Sequence, residues 1–130
     1  MIKFKEILEE EISFENIKYL YHATYLPLLK KIKQYGLNTN KEFAKQIYED
    51  SIPGIVYLAF DKDVAASYAE TSDIVPENWL EKIIILSIDI NKLDKSKLFK
   101  DRNVQSESTD TLEYRGVIPF NAIVNVERYF

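Results

Sequence analysis

Apolar residues change their spacing several times along this 130-residue chain, and each change marks an element. Ile2, Phe4, Ile7 and Leu8 recur at helical intervals, which predicts a short amphipathic helix over residues 2–10. Asn16 to His22 alternates instead. Ile17, Tyr19 and Tyr21 share one face and Leu20 and His22 the other, the pattern of a strand. Thr24 follows as the expected N-cap of a helix, with Pro27 in its first turn, where no backbone N–H is needed. Leu26, Leu29 and Ile32 make the apolar stripe of that helix. Gly36-Leu37 predicts its end: glycine takes the left-handed position and leucine covers it.

The second half is read in the same way. Residues 41–50 predict a short helix, and Pro53-Gly54 interrupts the chain. Ile55 to Phe60 is a strand, and Asp61 caps a helix with Val64, Ala65, Tyr68 and Ala69 on one face. Pro76 breaks the next stretch. Lys82 to Ile90 is almost continuously apolar, as in an interior strand covered on both sides. Asn91 to Asp110 is polar and predicts a long loop with short structured pieces. Leu112 to Ile118 and Ile123 to Tyr129 predict two late strands joined by a turn at Pro119-Phe-Asn-Ala. The sum is one α+β domain over residues 1–130, with an N-terminal helix within 1–15 and a core of about six strands over 16–130.

Charge and composition narrow the chemistry. The net charge is -4 with basic and acidic residues interspersed, which argues against nucleic-acid binding by bulk electrostatics. The absence of cysteine excludes disulfides, thiolate metal sites and a Cys nucleophile, and a single histidine excludes a multi-His metal site. No metal is expected. No segment approaches the ~20 apolar residues of a membrane-spanning helix, and the charged N-terminus lacks a signal-peptide core. The expectation is a cytoplasmic protein, in the producing cell or in a target cell, that is monomeric and does not engage a membrane.

Four features carry candidate chemistry. His22-Ala23-Thr24 ends the first strand. Tyr57 lies on a strand and Tyr68 on the helix after it, with ten residues between them. Glu113 is embedded in the strand-like segment Thr111-Leu-Glu-Tyr-Arg115. A strand, a turn and a helix can face two phenol rings across a slot for a flat ligand. A histidine can bond a ribose hydroxyl. A carboxylate beside the sugar stabilises the positive charge that develops as a glycosidic bond breaks. Each feature also has a plainer structural reading: a hydrogen-bonded core histidine, two core aromatics, and a cross-strand partner for Lys or Arg.

Taken in order, His22-Ala-Thr24 with its helix and Gly36-Leu37, then Tyr57 and Tyr68, then Glu113-Tyr-Arg-Gly-Val-Ile, the chain resembles the ADP-ribosyltransferase superfamily. The likeness is to its His-Tyr-Glu branch, that of diphtheria-toxin-like and poly(ADP-ribose)-polymerase-like enzymes, and runs from about Tyr19 to the C-terminus. The resemblance implies an ADP-ribosyltransferase-like split mixed β-sheet with flanking short helices. It implies NAD as co-substrate and mono-ADP-ribosyl transfer to a macromolecular acceptor, protein or nucleic acid, in a toxin, a phage effector or a housekeeping enzyme. It implies that His22 binds ribose hydroxyls, that the Ala23 backbone meets the nicotinamide carboxamide, that Thr24 supports the turn, that Tyr57 and Tyr68 sandwich the ring, and that Glu113 is catalytic.

Three departures bear on that reading. Ala23 replaces the common glycine, Ala65 stands where polymerase-like members often place a serine, and Thr111 is not the acid or amide of the Arg-Ser-Glu branch. Alternative expectations are an NAD-dependent RNA 2′-phosphotransferase-like enzyme, an NAD glycohydrolase, and an inactive module that binds NAD or ADP-ribose.

Overall fold

The computed structural model describes residues 17–37, 55–71, 76–100 and 111–130. The predicted helices over 2–10 and 41–50, the Pro53-Gly54 break and residues 101–110 of the polar 91–110 stretch lie outside these residues. The described chain is α+β, built on one six-stranded sheet. In chain order the strands are β1 (Tyr19–Tyr25), β2 (Ile55–Ala59), β3 (Ile83–Asp89), β4 (Leu98–Lys100), β5 (Thr111–Arg115) and β6 (Ile123–Arg128). The helices are α1 (Leu29–Tyr35) and α2 (Lys62–Glu70), supplemented by short 3-10 turns.

The strand order is β4-β5-β2-β1-β3-β6, and every pairing is antiparallel. This corrects the expectation of a mixed sheet. β2 and β3 do run in the same direction across the α2 connection, but β1 lies between them and opposes both. β1 pairs with β3 along all seven of its residues, yet with β2 only at Tyr21↔Ala59. The sheet is therefore two three-stranded halves, β4-β5-β2 and β1-β3-β6, meeting at a seam one register pair long.

Each face of the sheet buries its own cluster. On one, Leu20, Val56, Leu58, Leu112, Ile84, Leu86 and Ile88 pack with Ile32 of α1 and with Leu37, Ile118 and Ala122. On the other, Ala23, Tyr25, Ala59, Ile83 and Ile85 meet Ala65, Ala66 and Ala69 of α2, with Trp79 and Leu80 at the margin. β3 is buried from Ile83 to Ile88 because both clusters draw on it, as its unbroken apolar run predicts.

Local signals account for most element ends. Asp61 caps α2, its carboxylate accepting from the N–H groups of Asp63 (2.6 Å) and Val64 (3.2 Å). Gly36 closes α1 at φ 83°, its N–H donating to the Ile32 carbonyl at 2.8 Å, and Leu37 is buried beyond it. Several boundaries differ from expectation, β5 for one ending at Arg115 and not at Ile118. β1 continues to Tyr25 because the β3 ladder extends to Tyr25↔Ile83, so Thr24 is a buried strand residue and not an N-cap. The next turn, Leu26–Leu28, has Pro27 near its start but no side-chain cap. The inward face of α2 is Ala65, Ala66 and Ala69, and Tyr68 is 53% exposed.

Candidate functional site

The seam gathers three of the residues singled out in the sequence. Antiparallel pairing sets Tyr57 of β2 directly opposite Glu113 of β5, which in turn opposes Phe99 of β4. Directly opposed residues project from the same face of a sheet, with Cβ atoms about 4.5–5.5 Å apart. Phe99, Glu113 and Tyr57 therefore form a row that ends at the seam. His22 borders the same seam from β1, its side chain on the Leu20 and Leu86 face of the sheet, opposite to that of the row, and its Nδ1 lies 2.8 Å from the backbone carbonyl oxygen of Tyr57. A carbonyl oxygen only accepts, so Nδ1 carries the proton of this bond.

Burial pushes the His22 imidazole below its ordinary pKa, and the bond to Tyr57 opposes that shift only in part. The ring is neutral at pH 7, and with the proton on Nδ1, its Nε2 is an acceptor. An acceptor nitrogen at this position suits a hydroxyl donor.

Glu113 is fully buried (0% exposed). Its Oε1 lies 3.3 Å from Nε of Arg115, two residues along the same strand and hence on the same face. The Arg115 guanidinium lies over the Phe99 ring, 3.6 Å from its centroid. The guanidinium gives the buried carboxylate a partner of opposite charge. Arg115 and Phe99 were not marked as site residues by the sequence. The signal was present in the i, i+2 spacing of Glu113 and Arg115 on a strand.

The other predicted residues flank this center. Ala23 and Thr24 continue β1 from His22 and are buried. The Ala23 side chain joins the alanine-rich cluster beneath α2, together with Ala59, Ala65, Ala66 and Ala69. The Cβ that distinguishes it from glycine is thus taken up by core packing. Ala65, the second departure, is in the same cluster, and Thr111 is buried opposite Ala59. Tyr68 stands apart on the outer side of α2. Ring pairs among the described residues are Tyr25–Trp79 (centroids 5.7 Å apart) and Tyr129–Phe130 (5.1 Å), so Tyr57 and Tyr68 do not stack on one another.

The framework around the center is tied by specific bonds. The buried Tyr25 hydroxyl donates to the Ala69 carbonyl at 2.8 Å, anchoring the end of α2 to β1. At the start of α2, Lys62 Nζ donates to Glu127 at 2.7 Å and the Tyr129 hydroxyl donates to Asp63 at 3.0 Å, joining the helix to β6 and the C-terminal residues. No helix among the described residues is long and apolar enough to cross a membrane. Comparison of the chain with protein-family models and with curated proteins finds no match to either.

Proposed function

We propose that this protein is a mono-ADP-ribosyltransferase that cleaves the nicotinamide–ribose bond of NAD and transfers ADP-ribose to a macromolecular acceptor. The observation that carries the proposal is the register Tyr57↔Glu113 beside the His22–Tyr57 bond. It brings a half-buried phenol, a buried carboxylate and a neutral imidazole to one seam. The two half-sheets meeting there at a single register pair support the ADP-ribosyltransferase-like reading of the fold.

In this reading Tyr57 offers its ring to one face of the nicotinamide, and Tyr68, from α2, closes on the other as ligand binds. Nε2 of His22 accepts a ribose hydroxyl, and the Ala23 backbone meets the carboxamide. The glycosidic C–N bond breaks and its electron pair leaves with the nicotinamide nitrogen. Glu113 stabilises the oxocarbenium charge on the ribose, orients the incoming nucleophile and takes its proton as the new bond to the anomeric carbon forms. These interactions strengthen as charge develops, which is where a fixed carboxylate contributes most.

The test is incubation with NAD labelled in its ADP-ribose half together with a cell lysate, followed by separate nuclease and protease treatment. The expected result is nicotinamide release with label in macromolecules, lost on one treatment and retained on the other. Glu113→Gln is expected to bind NAD within about threefold of the parent and to lower turnover by about 10²–10³-fold. Equal turnover in that variant removes Glu113 from the reaction. Free ADP-ribose without labelled macromolecules identifies a glycohydrolase.

A further inference from the structure

We propose that Arg115, held flat against Phe99, is the positioning residue for Glu113. The inference rests on the catalytic role of Glu113 proposed above. It follows from how the three side chains meet. Glu113 has no solvent exposure, whereas the Arg115 side chain is 38% exposed, so the guanidinium lies between the carboxylate and the protein surface. Arg115 engages Oε1 through Nε alone, at 3.3 Å. A single contact of that length does not fix the plane of a guanidinium as a two-bond fork does. Stacking on Phe99 at 3.6 Å does. Phe99 is in turn placed by its pairing with Glu113 itself. Ring, guanidinium and carboxylate therefore touch in sequence on neighbouring strands.

The charge arithmetic separates positioning from direct catalysis. A guanidinium beside the carboxylate reduces the net field that Glu113 exerts on a developing cation. What Arg115 contributes is a carboxylate held in one orientation. A lysine keeps the charge but neither stacks as a plane nor donates from a fixed fork, so charge alone does not reproduce the arrangement.

The experiment compares nicotinamide release by the full chain and by Arg115→Ala, Arg115→Lys and Phe99→Leu, with NAD affinity measured by calorimetry. Arg115→Ala is expected to lower kcat by about 10–10²-fold with NAD affinity within about threefold, to be restored in part by added guanidinium ion, and not to be matched by Arg115→Lys. Phe99→Leu, which keeps bulk but removes the aromatic face, is expected to lower kcat about three- to tenfold. Unchanged kcat in Arg115→Ala, or full activity in Arg115→Lys, overturns the proposal.

A second measurement is independent of turnover. The unfolding constants of the parent, Glu113→Gln, Arg115→Ala and the double variant are compared in urea. Arg115 holding Glu113 predicts single effects whose product departs from the double effect by about fivefold or more. An additive result overturns the inference. No nicotinamide release by the parent protein defeats the proposed activity, and the unfolding cycle then still decides whether Arg115 holds Glu113.

Discussion

Nδ1 of His22 and the carbonyl oxygen of Tyr57 lie 2.8 Å apart across the line where β1 and β2 separate. The bond joins the two half-sheets beyond their single register pair. It fixes the proton on Nδ1, while burial holds the imidazole in its neutral form, with consequences for pH.

Because the folded-state pKa of His22 is depressed by burial, the unfolded chain takes up this proton first as pH falls below about 6.5. Stability contributed by the neutral ring is complete above that pH and is lost as pH falls towards the folded-state value, at up to about 1.4 kcal/mol per pH unit. Urea unfolding at pH 7.5 and 5.5 is expected to show a loss in the parent protein about 1 kcal/mol greater than in His22→Gln. Parallel behaviour of the two proteins contradicts this account of the acid sensitivity.

Tyr57 is half-buried at the seam, opposite Glu113. If its ring carries the nicotinamide, Tyr57→Phe keeps the face and is expected to leave KM for NAD within about threefold. Tyr57→Ala removes it and is expected to raise KM by about 10–10²-fold, in line with one lost stacking interaction plus its burial. Steady-state kinetics of nicotinamide release checks both. An equal effect of the two substitutions assigns the role to the hydroxyl instead.

Gly36 combines φ 83° with ψ 174°, a conformation restricted almost entirely to glycine. A Cβ there meets the Ile118 carbonyl oxygen at 2.8 Å and Val117 Cγ1 at 2.9 Å. Gly36→Ala is expected to cost about 2–3 kcal/mol of stability from backbone strain and contact together. At Gly116 the nearest obstacle is the flexible Lys97 side chain, with Cδ at 3.2 Å, so Gly116→Ala serves as the milder comparison in the same denaturation series.

Asp61 accepts two backbone hydrogen bonds at the start of α2. Asp61→Ala is expected to cost about 1 kcal/mol and Asp61→Asn only a few tenths, both read from the urea midpoint at constant slope. α2 carries Tyr68, so under the proposed function the alanine variant also raises KM for NAD modestly, and the asparagine variant does not.

The elements most legible in the sequence were those fixed by short-range chemistry. The apolar run of β3, the Asp61 cap and the Gly36-Leu37 stop are visible without knowing the neighbours. Thr24 reads as an N-cap in the sequence because an N-cap and a strand residue look alike until the seven-residue ladder between β1 and β3 is known. Helical spacing alone places Tyr68 on one face of α2 with Val64, Ala65 and Ala69. The sheet instead accepts Ala65, Ala66 and Ala69, whose small size lets the helix sit close, and the bulky phenol is left outside. Glu113 was legible as a candidate, but its burial and the Arg115–Phe99 stack over it depend on β4 lying beside β5. The antiparallel pairing of every strand was likewise hidden, because it requires β1 to lie between β2 and β3.

α2 packs across β1, β2 and β3, and so works as a splint over a junction that the main chain itself hardly stitches together. Its three inward alanines act as a shim. A longer side chain at Ala66, which is fully enclosed, must lift the splint or wedge the two half-sheets apart. The spacing of the two half-sheets at their seam is thereby set by methyl groups that need never touch a ligand.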